Sequence, residues 1–167
     1  MDIIIREATS NDIPQILELY AELQPHDSGR LGEQFAERTT SPPINAETAF
    51  AVYTQAINSG VKYYVAVNDG KIVGSCYIAI IPNITRQCSP IGFIENVITA
   101  SAYRRHGIGR RLMNATVEYA KKQGCYKVTL QSGIKRTEAH EFYKSVGFDG
   151  DSKKAFEIRF NKDGWGN

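Results

Sequence analysis

Apolar residues recur along the chain at two periods, and the changes between them mark out the elements. Ile3 to Ile5 form a short apolar run that predicts a first strand. Ile13, Ile16, Leu17 and Tyr20 then follow at i, i+3, i+4 and i+7, the spacing of one helical face, and Thr9 and Asp12 are spaced as a helix-start signal. A first helix over about 12–23 is expected. A second helix is expected over 45–59, with Asn45 as its cap, Ala46, Ala49, Phe50, Tyr53 and Ile57 on one face, and Gly60 as its stop. Residues 62–67 and 71–81 switch to β-branched and aromatic composition around the turn cluster Asn68-Asp69-Gly70, the clearest hairpin in the chain.

After a break at 82–90, residues 91–99 read as another strand. Helical spacing returns over 107–123, with Ile108, Leu112, Ala115, Thr116 and Tyr119 inward and Gly124 at the end. Residues 125–131 alternate as a strand. Thr137 can cap a helix carrying Ala139, Phe142, Tyr143 and Val146 on one face, with Gly147 as its stop, and 155–160 complete the pattern as a final strand with Phe156, Ile158 and Phe160 on one side. The order β, α, α, hairpin, β, α, β, α, β predicts a mixed α/β fold, a central and mostly antiparallel sheet flanked by about four helices. Only 24–45 lacks a long period. It holds three prolines and two glycines, a short helical piece over 31–38 aside, and a connection of that length is more often a binding loop or a mobile segment than plain linkage.

Composition narrows the class. A chain of 167 residues buries roughly 70% of its extended surface, enough for one core, so a single domain over 1–167 is expected. Twenty basic against 18 acidic residues leave a net charge of +2, which disfavours disorder and a general nucleic-acid surface but says nothing of local patches. The longest wholly apolar run, Cys76 to Ile81, is far short of a membrane span, and the start MDIIIRE lacks the basic flank and apolar stretch of a signal peptide. Cys76, Cys88 and Cys125 are odd in number and widely separated, against a disulfide framework or thiolate metal site, and point to a reducing cytoplasm.

The chemistry concentrates between Glu95 and Met113, where a strand leads into Arg104-Arg105-His106-Gly107-Ile108-Gly109-Arg110 and a helix begins. Free N–H groups at a helix start, together with the positive end of its dipole, favour an anion. Gly107 and Gly109 permit close approach, and Arg104, Arg105, Arg110 and Arg111 add charge, so a pyrophosphate would fit. The GxxxxGK[ST] loop is absent, and a GxGxxG reading from Gly107 meets Leu112 at its third glycine, which excludes the ordinary nucleotide motifs.

This segment resembles the signature of the Gcn5-related N-acetyltransferase family, Arg or Gln, two residues, Gly, one residue, then Gly or Ala, matched by Arg104, Gly107 and Gly109. A second match lies at Phe142-Tyr143-Lys-Ser-Val-Gly147-Phe148, like the family's FYxxxGF helix end. The resemblance implies transfer of an acetyl group from acetyl-CoA directly to a primary amine of a small molecule or peptide, with no acyl-enzyme and no metal. It implies that the backbone of Arg105, His106, Gly107, Ile108, Gly109 and Arg110, with Arg104 beside it, holds the pyrophosphate, and that Val97, Ile98 and Thr99 pair with the pantetheine arm. It also admits a homodimer.

An alkylammonium near pKa 10 must lose a proton before it attacks, and the departing thiolate benefits from gaining one. Glu95 is the candidate base, placed by strand parity on the face of Val97 and Thr99, and Tyr143 the candidate acid, also beside the coenzyme. His106 reads as a loop residue beside phosphate and His140 as a helix-surface or capping residue. The resemblance implies an acceptor pocket made by 12–59 and 82–90, which contain Tyr20, Glu22, His26, Asp27, Glu33, Glu37 and Arg86; the acceptor itself is left open. The competing function is a non-catalytic acyl-CoA-binding or sensor module of the same fold.

Overall fold

The computed structural model describes residues 1–22, 45–158, 160–161 and 164–165. The chain enters through strand β1 (Ile3–Glu7) and a 3-10 turn (Ser10–Asp12) into helix α1 (Ile13–Tyr20). Asp12 holds that entry: it accepts the Thr9 N–H at 2.7 Å and a two-armed bond from Arg6 at 2.7 and 2.8 Å. Helix α2 (Ala46–Asn58) begins as expected at Asn45, whose side chain accepts the Glu47 N–H at 2.8 Å. Its inner face differs from the expected one: Phe50 is 50% exposed, and Ala49, Tyr53, Ala56 and Ile57 are the half-covered positions. The helix therefore rests on the sheet's margin and contributes no fully buried side chain.

Strands β2 (Val61–Asn68) and β3 (Lys71–Ile81) form the expected hairpin, closed by Asp69 and Gly70, both at positive φ. Strand β4 (Ile91–Thr99) pairs antiparallel with β3 and parallel with β5 (Lys127–Leu130), giving a five-stranded sheet in the order β1-β2-β3-β4-β5. Helix α3 (Ile108–Lys122) supplies the crossover that a parallel β4–β5 pair requires, and α4 (Thr137–Ser145) follows β5. The α/β class, the mostly antiparallel sheet and its four α-helices agree with the reading of the sequence, among the described residues.

Two buried clusters cover the two faces of the sheet. Cys76, Ile78 and Ile94 pack against Ile108, Leu112 and Met113 of α3 and Tyr143 of α4. On the other face Val65, Ile72 and Ile98 pack against Ile16 and Leu19 of α1. Truncating a side chain as enclosed as Leu112 to alanine would cost about 2–5 kcal/mol.

One irregularity decides which way the site residues face. Ser75 pairs with Ile98, but Tyr77 pairs with Glu95, so two steps along β3 match three along β4. The extra residue is a bulge around Asn96, whose φ is +53°, a left-handed conformation that asparagine tolerates better than most residues. Strand parity is thereby reversed. Glu95 lies on the α1 face with Tyr77, whereas Val97 packs into the α3 cluster on the other side. The expectation that Glu95 shares a face with Val97 and Thr99 is corrected by this bulge.

The final strand also differs. Residues 153–158 have no regular structure, with Phe156 90% exposed, and among the described residues the strands β6 (Phe160–Asn161) and β7 (Gly164–Trp165) pair only with each other. Alternation makes a strand only where a sheet edge accepts it, and the five-stranded sheet ends at β5. Among the described residues no helix is long and apolar enough to cross a membrane, and no group of three or more His, Cys, Asp or Glu is placed to hold a metal ion.

Candidate active site

The site is made where two parallel strands part. Strand β5 pairs with β4 only from Ile91 to Ile94 and ends at Leu130, while β4 continues from Glu95 through Thr99. The bulge at Asn96 bends β4 at that point, so its continuing edge borders a cleft instead of a neighbouring strand. The cleft has a volume of about 1230 Å³ and is walled by Glu95–Thr99, the start of α3, the residues after β5 and the inner face of α4. An open strand edge carries unpaired N–H and C=O groups, which an extended amide-bearing chain can complete.

At the far end of that edge the chain turns through Ser101–Tyr103, where the Ser101 N–H donates to Glu22 at 2.9 Å, and enters α3. Arg105 (φ +66°) and Gly107 (φ +74°) both adopt left-handed backbone here. The first helical bond runs from Arg111 N–H to the Gly107 carbonyl at 3.1 Å, so the N–H groups of Ile108, Gly109 and Arg110 have no acceptor within the helix. They open on the cleft, where the helix dipole adds to their attraction for an anion.

Gly109 has a second role that spacing does not disclose. A Cβ at this position would lie 3.0 Å from Cζ of Phe142, tighter than nine in ten real Cβ contacts, so the ring would have to give way by a few tenths of an ångström. The two sequence motifs are therefore in contact, the ring of one seated on the bare backbone of the other. Phe142 also packs on Tyr143 at 5.3 Å between ring centroids, and Tyr143 on Phe148 at 6.3 Å.

The four arginines do not act together as expected. Arg110 donates to the Ser145 carbonyl at 3.0 Å and to its hydroxyl at 3.1 Å, and Arg111 donates to the Ile3 carbonyl at 2.6 Å. Their charged ends tie α3 to α4 and to β1, which leaves the Arg110 backbone, not its guanidinium, for an anion. Arg104 and Arg105 line the cleft; Arg104 donates to the Thr99 carbonyl at 3.2 Å and Arg105 stands 3.6 Å from Glu138. Lys135 and Arg136 join them from the β5–α4 connection. Lys135 escaped the reading of the sequence because nothing in its spacing ties it to the arginine cluster some thirty residues earlier.

Of the candidate residues, Glu95, Val97, Ile98, Thr99, Arg104, Arg105, Gly107, Ile108, Gly109, Arg110 and Tyr143 all line this cleft. His106 does not: it is exposed, with Nδ1 2.8 Å from the Arg104 carbonyl. His140 ties its helix to the preceding loop, with Nε2 2.9 Å from the Gly133 carbonyl. Glu95 is half buried, and burial pushes its carboxyl above the usual range against a smaller opposing effect of the Asn96 N–H. Tyr143 is 8% exposed. The two reach the cleft from opposite faces of the sheet, Glu95 from the α1 side and Tyr143 from the α3 and α4 side. Cys76 is fully buried and its thiol is pushed up to about 12 by burial, which makes it a poor nucleophile.

Among the acceptor candidates, Glu22 lines the cleft, and Tyr20 is largely buried beside Ser75 and Asn96, its phenol raised to about 12 chiefly by burial. Arg86 lies elsewhere, 6.0 Å over the ring of Tyr126. His26, Asp27, Glu33 and Glu37, like the helical piece over 31–38, fall outside the described residues.

The acetyltransferase (GNAT) family model matches residues 17–148, which spans β4, the cleft and both motifs. The chain belongs to the GNAT family. It is similar to a glucosamine 6-phosphate N-acetyltransferase of Trypanosoma brucei brucei, 29% identical over 89% of this chain and 90% of that one. It is also similar to an aminoglycoside N(6')-acetyltransferase type 1 of Serratia marcescens, 30% identical over 48% of this chain and 56% of that one. A solved structure of a provisionally assigned acetyltransferase from Agrobacterium tumefaciens str. C58 superposes with a TM-score of 0.80 at 35% identity, covering 93% of this chain and 99% of the other. As a GNAT member the chain is an acetyl-CoA-dependent N-acetyltransferase, acetyl-CoA is its acyl donor, and the acceptor is an amine.

Proposed function

We propose that residues 1–167 form one acetyltransferase domain that moves the acetyl group of acetyl-CoA directly onto a primary amine of a small molecule or peptide, with Glu95 as base and Tyr143 as acid. The observation that carries this reading is the parted pair β4 and β5, which opens onto a glycine-bearing helix start with a carboxylate on one face of the sheet and a phenol on the other. The N–H groups of Ile108, Gly109 and Arg110 hold the pyrophosphate, with Arg104 and Arg105 at the rim. Val97, Ile98 and Thr99 offer their backbone to the amides of the pantetheine arm, and an N–H of the same strand polarises the thioester carbonyl.

The acceptor enters from the α1 face. Glu95 takes a proton from its ammonium, directly or through water, and a carboxyl raised by burial is the better base near neutrality. The freed nitrogen adds to the acetyl carbon, the C–S bond breaks as the tetrahedral adduct collapses, the nitrogen gives its second proton to solvent, and the sulfur leaves toward the opposite face. There Tyr143, packed between Phe142 and Phe148, supplies a proton to the thiolate. Base and acid on opposite faces keep the two proton transfers apart. The three free cysteines support a reducing compartment, the cytoplasm.

Titration with acetyl-CoA, followed by thiol release on adding a panel of primary amines, tests the reading. Saturable binding and thiol release matched by acetylated amine are expected. Failure to bind any acyl-CoA would reject it, and binding without thiol release would favour a non-catalytic acyl-CoA module.

A further inference from the structure

On the α1 face, three tyrosines continue the line that Glu95 begins. Tyr77 stands directly across from Glu95 on the neighbouring strand, and Tyr63 directly across from Tyr77 on the next. The ring centroids of Tyr63 and Tyr77 are 5.1 Å apart, and Tyr53 of α2 adds a third ring 5.3 Å from Tyr63. Tyr53 is fixed in that place, its hydroxyl donating to the Ala8 carbonyl at 2.8 Å. All three side chains are only half buried, so ring surface remains open. With strands about 4.8 Å apart, the row reaches roughly 10 Å from Glu95 to Tyr63.

The charges along this row are unevenly matched. At its outer end Glu7 is neutralised by Lys62 at 2.9 Å and Asp12 by Arg6 at 2.7 Å. Among the described residues Glu95 has no cation within 4.0 Å, so the row presents one open carboxylate at one end and neutral aromatic surface beyond it. A primary ammonium answers the carboxylate. Among the described residues Glu22, the other carboxylate that lines the cleft, is held at the Ser101 N–H beyond the end of β4, so along the row itself a second ammonium meets rings alone, and a phosphate would lie beside Glu95 or on neutral rings. A flat, uncharged body is what stacks on tyrosine faces.

We infer that the acceptor is a singly charged arylalkylamine, its ammonium beside Glu95 and its ring on Tyr77 and Tyr63. The inference rests on the proposed function and adds the class of acceptor to it. The test compares 2-phenylethylamine, n-pentylamine, a linear diamine and glucosamine 6-phosphate as acceptors for the full chain with acetyl-CoA. A kcat/KM for 2-phenylethylamine about tenfold above n-pentylamine, and higher still above the other two, is expected from the added stacking. Tyr63→Leu removes that preference through KM, with kcat and acetyl-CoA affinity unchanged, and Tyr63→Phe retains it. Should Tyr63→Leu fail to fold, Tyr53→Leu reads the same preference at the outer end of the row. A higher kcat/KM for the diamine or the phosphorylated sugar overturns the inference while leaving the acetyltransferase reading intact, as does a preference that survives loss of the ring. Thiol release with none of the four, nor with any other amine, overturns both.

Discussion

Glu95 and Tyr143 reach one cleft from opposite faces of the sheet, the carboxylate set on the α1 side by the bulge at Asn96 and the phenol packed on the α3 side between Phe142 and Phe148. An acceptor and a leaving thiolate placed on either side of the acetyl carbon would each meet one proton-transfer group and not the other. The arrangement makes the two roles separable by mutation.

Tyr143→Phe removes only the hydroxyl and keeps the ring against Phe142 and Phe148. We expect kcat to fall roughly 100-fold, the size of a lost general acid, with acetyl-CoA affinity unchanged. Steady-state kinetics beside an acetyl-CoA titration read both; a variant with full turnover would remove Tyr143 from the mechanism.

The two glycines of the helix start fail differently. Gly109→Ala places a methyl 3.0 Å from Phe142 and forces the ring to move, a strain of about 1–3 kcal/mol, and it weakens coenzyme binding because α3 and α4 form two walls of one cleft. Gly107→Ala meets no atom within 4 Å but holds an alanine at φ +74°, costing roughly 1–2 kcal/mol. Denaturant melts and acetyl-CoA titrations of both variants check this, and a Phe142→Leu background relieves the first defect only.

The arginines divide by task. Arg111→Ala gives up a partly buried bond to the Ile3 carbonyl and lowers stability by about 1–3 kcal/mol, with acetyl-CoA affinity retained. Arg105→Ala leaves stability unchanged, since its contact with Glu138 is solvent-exposed, but weakens acetyl-CoA about tenfold at low salt and less at high salt. Equal effects of the two variants on binding would contradict the division.

Asp12 makes stability depend on acid pH. Its carboxyl is lowered from 3.8 to about 2, chiefly by the Arg6 hydrogen bonds. A depressed folded-state pKa contributes stability that is fully present above the unfolded value near 4 and is lost as pH falls toward 2. Asp12→Ala is expected to cost about 1–2 kcal/mol at pH 7, after allowance for the exposure of Arg6, and progressively less between pH 4 and 2. Urea melts across that range measure it.

Most elements were legible because their signals are local. Asn45 caps α2, Asp69-Gly70 turns the hairpin, and the stop signals at Gly124 and Gly147 follow α3 and α4, each a matter of a few neighbouring residues. What escaped depends on register. The Asn96 bulge reverses the face of Glu95, and a second bulge between Ala66 and Val67 shifts the hairpin so that Tyr63 meets Tyr77; the turn alone would have paired Tyr63 with Cys76. An asparagine inside an apolar strand is the one visible hint of the first bulge, and it does not fix where the extra residue falls. The Arg110 and Arg111 contacts escaped for a related reason, since partners 35 and 108 residues away leave no trace in local spacing.

The central claim is that Glu95 deprotonates the acceptor. The pH profile of kcat for Glu95→Gln, at saturating acetyl-CoA, tests it most directly. We expect a deficit of roughly 100-fold near pH 7 that narrows above pH 9, as the amine begins to lose its proton unaided, while acetyl-CoA affinity stays unchanged. A variant that matches the parent enzyme's kcat across the whole range would contradict the account.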